Sequence, residues 1–129
     1  MENSKEAVVF KNGADTFISV VSGKWKTLIL CHLGMGTQRN SDLQKLIPGI
    51  THKMLNQQLR ELEQDDIIVR TDFHEALPHV EYQLSAYGKS LMPLLNEVSK
   101  WGAEHVQHLQ EKGVNAELEI NDHDGYLGN

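Results

Sequence analysis

A short stretch of the chain carries side chains that can recognise the edges of DNA bases. Asn56 and Gln57 are amides that can form two hydrogen bonds with adenine, and Lys53 and Arg60 can bind guanine. On a helix that turns about 100° per residue, all four fall on one side. The opposite side carries Leu55, Leu59 and Leu62. This pattern predicts an amphipathic helix with an apolar side for the core and a polar side for a duplex.

Other polar residues near this helix complete a predicted DNA-binding set. Thr51 and His52 lie at the helix N-terminus, where main-chain N–H groups favour a phosphate, and Thr51 is also the expected cap. Residues that can contact the DNA backbone precede a shorter helix; they are Gln38, Arg39 and Asn40. The strand region that follows adds Arg70, His74 and His79. For these last two groups, an ordinary solvated surface is the competing interpretation.

The charge distribution favours DNA at this part of the chain despite a formal net charge of −6 over 129 residues. Most of the acidic excess lies in the C-terminal third. Between residues 37 and 60 the single acid, Asp42, is outnumbered by Arg39, Lys45, Lys53 and Arg60. Local fields decide where a polyanion binds, although the acid elsewhere should weaken non-specific binding.

The surrounding sequence predicts a fixed order of elements. Helices are expected over 14–21, 24–33, 41–47 and 52–64, with Asn40 or Ser41 as the cap of the third. Strands are expected over 67–73 and 80–85, joined by a protruding loop at 74–79. A long helix over 86–112 should kink or restart at Pro93, because proline lacks an N–H group.

This order is the plan of a winged helix-turn-helix domain. The predicted fold is mainly α (α+β), with a two-stranded β-wing and dimerisation helices at both ends. A single DNA-binding domain is expected over 1–110, with dimerisation helices at about 11–22 and 86–110, followed by an acidic tail over 111–129. In such a domain one helix enters the major groove and the preceding helix contacts the backbone.

Several motifs resemble one family of regulators. They are Gly23-Lys24-Trp25, Ile47-Pro48-Gly49-Ile50, Leu59-Arg60-Glu61-Leu62-Glu63, Val80-Glu81-Tyr82 and Ser85-x-x-Gly88. Together with the surrounding segments, over roughly residues 11–105, they are similar to the HxlR-type winged-helix transcriptional regulators, which are relatives of the MarR group. The resemblance implies a sequence-specific regulator of transcription, most simply a repressor that blocks a promoter.

The resemblance also implies a homodimer formed by the terminal helices. The residues expected at the dimer contact are Phe17, Leu91, Leu94, Leu95, Val98, Trp101 and His105. Two recognition helices about 34–36 Å apart would then predict a pseudo-palindromic operator in double-stranded DNA. Two alternatives remain open: a regulator that responds to an unidentified small-molecule effector bound at the dimer interface, and a protein-interaction winged helix without DNA binding.

Relatives in this family sense redox state or aldehydes through a cysteine just before the first helix. Lys11 or its neighbour occupies that place here, and no cysteine is near it. The single thiol, Cys31, falls in the second predicted helix and is expected to be a packed small side chain. Sensing by the usual cysteine is therefore not expected.

Enzyme, metal and membrane signatures are weak or missing in the sequence. His105, His108 and the run Asp122-His123-Asp124 match no strong metal-binding spacing, so no metal and no cofactor are expected. There is no Walker loop, dinucleotide fingerprint or nucleophile elbow, and an enzyme is not expected. No apolar run is long enough for a membrane span, and a cytoplasmic location is expected.

Overall fold

The computed structural model describes residues 6–120 and residue 122. In that part of the chain the helices are α1 (Gly13–Val21), α2 (Lys26–Gly34), α3 (Asn40–Leu46), α4 (His52–Gln64) and α5 (Met92–Glu111). The strands are β1 (Gln38–Arg39), β2 (Ile68–Phe73) and β3 (His79–Leu84), and a 3-10 turn (Gly88–Leu91) precedes α5. The predicted mixed fold of helices with a β-wing is confirmed.

The sheet has three strands: the two predicted strands of the wing pair as expected, and a short strand that the sequence did not predict, β1, adds a third. All pairs are antiparallel and the order is β1-β3-β2. Gln38 pairs with Tyr82 and Arg39 with Glu81, so the segment before α3 forms an edge of the wing. The pairing of β2 with β3 runs as far as Phe73 and His79. The protruding loop is therefore 74–78, and His79 belongs to a strand.

The start of α3 also differs from the prediction. The helix begins at Asn40, and Arg39 holds the extended cap position, so neither Asn40 nor Ser41 is the cap. The Asp42 carboxylate accepts the main-chain N–H of Arg39 at 3.1 Å. This bond satisfies one of the donors that a helix N-terminus leaves open.

One apolar core joins the helices to the sheet. The predicted stripe of α4 forms its centre, because Leu55, Leu59 and Leu62 are all at most 1% exposed. Trp25, which precedes α2, is also buried, as is Tyr82 of β3. Burying leucines on only one side of α4 leaves the other side at the surface.

The connection from β3 to α5 is tightly built around Ser85. Its hydroxyl donates to the main-chain oxygens of Asp66 (2.6 Å) and Ile67 (3.1 Å) and accepts the N–H of Gly88 at 2.8 Å. A Cβ at position 88 would overlap the main-chain oxygen of Ile67. The expected long helix is therefore divided: Pro93 lies in the first turn of α5, as the alternative of a new turn at Pro93 predicts.

The chain reverses after α5 and runs back along it. Gly113 adopts a φ of 89°, and the N–H of Val114 donates to the main-chain oxygen of Leu109 at 2.9 Å. The Gln110 amide then donates to the main-chain oxygen of Ala116 at 2.7 Å. Residues 121 and 123–129 of the predicted tail, including His123 and Asp124, lie outside the described residues. None of the described helices has the length and apolar character that a membrane crossing requires.

Candidate nucleic-acid interface

The polar side of α4 is exposed except at Asn56, which is half-buried. Thr51 caps the helix, its hydroxyl accepting the N–H of Met54 at 3.1 Å. The next two turns border an open depression of about 560 Å³. Its lining residues are His52, Lys53, Asn56, Gln57 and Arg60. All five come from the predicted set, so the helix collects them on one surface.

Three neighbouring depressions extend this surface across α3 and the sheet. One shares Asn56 and Arg60 with the first and adds Arg70 of β2. Another shares His52 and adds Arg39, Asn40 and His79, and a further one shares Arg39 and adds Gln38. We name the combined surface the polar face. Its residues from the predicted set are Gln38, Arg39, Asn40, His52, Lys53, Asn56, Gln57, Arg60, Arg70 and His79, and the acids Asp42, Glu63 and Glu81 also line it. Thr51 and His74 of the predicted set do not line it; Thr51 caps α4, and His74 is exposed in the loop at 74–78.

Hydrogen bonds fix α3 relative to α4. The Asn40 amide donates to the Asn56 side-chain oxygen at 2.6 Å. At the other end of α3, Gln44 lies 3.1 Å from the His52 ring nitrogen and donates to the main-chain oxygen of Ile50 at 3.3 Å. Asn56 therefore has a structural partner already, and its oxygen keeps one lone pair for another donor.

The strand residues of the polar face are held in place by their neighbours. The ring of His79 stacks on Phe73 with centroids 4.6 Å apart, and its Nε2 lies 3.0 Å from Glu81. The Arg70 guanidinium lies 3.8 Å from the Asp72 carboxylate, and both side chains are about two-fifths exposed. His79 is thus shared between the sheet and the surface, whereas Arg70 remains accessible.

Two residues behind the polar face were missed from the sequence. Lys26 of α2 is 6% exposed, and its ammonium lies 2.6 Å from the Glu61 carboxylate of α4. The other Glu61 oxygen accepts the Gln57 amide at 3.3 Å. Hydrogen bonds from Lys26 and then Gln57 lower the pKa of Glu61. The burial of Lys26 could have been predicted from the sequence. Lys26 precedes Ile29, Leu30 and Leu33 at the spacing that places all four on one buried side of a helix.

The residues expected at a dimer contact divide into two groups. Leu94, Val98 and Trp101 of α5 are 48%, 48% and 66% exposed. His105 is also exposed and stacks on Trp101 with centroids 5.2 Å apart. These four lie along one side of the helix. In the second group, Phe17 and Leu91 are half-buried and pack against the core.

Leu95 lies on a different side of α5. It is 1% exposed within this single chain and packs against the core. A side chain already enclosed by its own chain offers little further area to a partner, so its role at a dimer contact stays a prediction.

The thiol is packed, as expected. Cys31 is buried in the core cluster, and burial, with a smaller effect of the Asp122 charge, raises the pKa of its thiol. A raised pKa keeps the sulfur protonated and poorly nucleophilic. Within residues 6–120 and 122, His, Cys, Asp and Glu side chains form no cluster of three that could hold a metal ion.

Comparison with known proteins decides the family. Residues 20–110 match the sequence model of HxlR-like helix-turn-helix proteins. The chain belongs to this family. As an HxlR-like protein it is a DNA-binding regulator of transcription, and the resemblance seen in its motifs is confirmed.

Individual relatives agree with this assignment. The chain is 50% identical over 92 residues to the HTH-type transcriptional regulator YtcD of Bacillus subtilis strain 168, which covers 71% of this chain and 73% of YtcD. A crystal structure of YtcD superimposes with a TM-score of 0.68 at 48% identity and covers 73% of this chain and 96% of that one. The redox regulator HypR in its reduced form gives a TM-score of 0.70 at 35% identity, over 77% and 97% of the two chains.

Proposed function

We propose that this HxlR-like regulator binds a pseudo-palindromic operator as a homodimer and represses transcription by blocking a promoter. Helix α4 enters the major groove, and the loop at 74–78 reaches the flanking backbone or minor groove. The observation that carries the proposal is the continuous polar face, which brings side chains from five elements onto one surface.

The chemistry of the polar face fits a duplex. A major groove about 12 Å wide admits one helix, and α4 offers amides and cations along its exposed side. Arg39 at the start of α3 and Arg70 of β2 flank α4, where phosphates of the two groove walls would lie. Three acids also line the polar face: Asp42 accepts the main-chain N–H of Arg39, Glu81 lies against His79, and Glu63 lies in the depression that Arg60 and Arg70 line.

The exposed apolar side of α5 supports the homodimer. Leu94, Val98 and Trp101 are all exposed and follow one another at helical spacing, so they form a continuous apolar strip. A two-fold pairing of this strip would present two copies of α4 to successive turns of one DNA face.

Selection of bound fragments from random DNA, at stated salt, tests the proposal. We expect two inverted half-sites whose centres lie about one helical turn apart. The complex should contain two protein chains per site, measured by mass photometry. Binding that shows no sequence preference at any position, or a single half-site per complex, would contradict it.

A second candidate is a regulator that responds to a small-molecule effector. The favouring observation is a half-open depression of about 610 Å³ between Trp25, Gly49 and Ile120 of the tail, and not at the dimer interface where the sequence analysis placed the effector. Because Gly49 leads into the cap of α4, a ligand there would shift α4. We expect an effector bound there to raise the melting temperature of the protein and to release it from DNA. Leu28→Trp, which fills the depression, should abolish both effects.

A further inference from the structure

An ion pair with one buried partner lies behind the groove-facing side of α4: the Lys26 side chain is 8% exposed, and the Glu61 side chain is 39% exposed. Lys26 is the one charged residue buried among residues 6–120 and 122, and its ammonium lies 2.6 Å from a Glu61 oxygen. A buried ammonium needs a partner, because an unpaired charge inside the protein is strongly destabilising. The carboxylate of Glu61 is therefore held in one place by the core.

The second oxygen of the same carboxylate points toward the DNA-facing surface. It accepts the Gln57 side-chain amide at 3.3 Å, one helical turn earlier on α4. A carboxylate only accepts hydrogen bonds, so it must meet the NH₂ group of Gln57 rather than its oxygen. The ion pair thus fixes which way the Gln57 amide faces.

The fixed orientation has a consequence for base recognition. One of the two Nε2 hydrogens of Gln57 is committed to Glu61, which leaves one donor and one acceptor for a ligand. Adenine presents the complementary pair in the major groove, an N7 acceptor and an N6 donor. A freely rotating amide would offer the same atoms in either order and discriminate less well.

We propose that Glu61 is a positioning residue for base recognition: anchored by buried Lys26, it orients the Gln57 amide so that one position in each half-site selects adenine. This inference rests on the proposed function, in which the polar side of α4 lies in the major groove. It adds a specificity role for two residues that touch no DNA themselves.

Glu61→Gln tests the orientation of the Gln57 amide most directly. A glutamine at 61 can still give its oxygen to Lys26, so the buried ammonium keeps a partner and the fold is maintained. Its NH₂ group then faces Gln57, which must turn its own oxygen inward. Gln57 would present two donors to the duplex, an arrangement that disfavours the N6 amino group of adenine.

The test uses the full chain and competition between sites that differ at one base pair. Gln57→Ala first identifies the position that Gln57 selects. At that position Glu61→Gln should lower the preference for adenine over guanine by about threefold to tenfold, the ratio that one modest hydrogen bond supports. In the Gln57→Ala background, the same change at 61 should have no further effect on preference.

A matched control separates orientation from charge. Asp65→Asn removes the same unit charge at the C-terminal end of α4 and should leave base preference unchanged. Melting temperatures of all variants show that each is folded. Unchanged adenine preference in Glu61→Gln, or an equal effect with and without Gln57, would overturn the inference. Failure of the parent proposal would look different, because Gln57→Ala alone would then alter no base preference.

Discussion

Side chains on the polar face differ in what they already contact, and this separates their expected roles. Arg60 lies in the middle of α4 and lines two of the depressions, whereas Arg39 lies at the cap of α3, beside the sheet. The first is placed for base edges and the second for a phosphate. Mutation of Arg60 should therefore change base specificity, and mutation of Arg39 should change the salt dependence of binding.

Arg60→Ala should lower affinity for the selected operator by about 1–3 kcal/mol and relax preference at one base position in each half-site. Arg39→Ala should instead weaken binding to all sequences about equally and flatten the slope of log affinity against log salt by about two, one for each protomer of the proposed homodimer. Titrations with operator and random DNA at several salt concentrations measure both. Equal behaviour of the two variants would refute the division of roles.

The ion pair of Glu61 predicts a pH dependence of stability. Its pKa in the folded chain lies below the ordinary value near 4.5, because Lys26 and Gln57 bond to the charged form. The stabilisation is therefore complete above the ordinary value and is lost as the pH falls through the lowered folded value.

In urea unfolding at pH 7, Glu61→Gln should unfold at a lower denaturant concentration than the parent chain, and the gap should narrow below about pH 4. Taking the difference between the unfolding free energies of the two chains cancels the contributions of the other carboxylates. A gap that is constant from pH 7 to pH 3 would show that the charged form of Glu61 is not stabilised by folding.

At the level of elements, the turn from β3 into α5 is the most constrained connection. Gly88→Ala should cost about 1–3 kcal/mol of unfolding free energy, because the added methyl meets the main chain of Ile67 in a closed site. Gly102→Ala is the matched control on α5: its Cβ meets nothing within 4 Å, and better helix propensity should stabilise by up to about 1 kcal/mol. Equal effects of the two changes would disprove the close contact.

Elements with strong periodicity were predictable from the sequence, and contacts between segments far apart in the chain were not. The three leucines of α4 defined its buried side, and therefore its polar side, from spacing alone. Strand β1 has only two residues, too few to show alternation, and it exists because β3 offers it a free edge. The ion pair of Glu61 could not be predicted either, because its partner, Lys26, lies 35 positions earlier in the chain and only the tertiary fold brings the two together.

For the whole molecule, the proposed homodimer depends on the exposed strip of α5. Val98→Glu should shift the chain toward monomer, since a carboxylate in an apolar contact is costly to bury. Operator affinity should fall by about 100-fold or more, because two half-sites no longer bind as one unit. Sedimentation velocity and operator titration measure the two effects together.

The neighbouring position supplies the control for this change. Glu97 is 71% exposed, lies 3.7 Å from Lys100, and borders the strip without contributing an apolar side chain to it. Glu97→Gln should leave both the assembly state and operator affinity close to those of the parent chain. If the Val98→Glu chain stays dimeric, the dimer contact lies on another surface.

The two-residue strand β1 links the wing mechanically to the helix that follows it. Gln38 and Arg39 are bonded to β3, and the next residue opens α3, whose Asn40 holds Asn56. Bending of the flanking DNA against the wing would therefore be transmitted to the orientation of α4. Base pairs outside the half-sites, chosen only for their ease of bending, would in this way alter how well the central bases are discriminated.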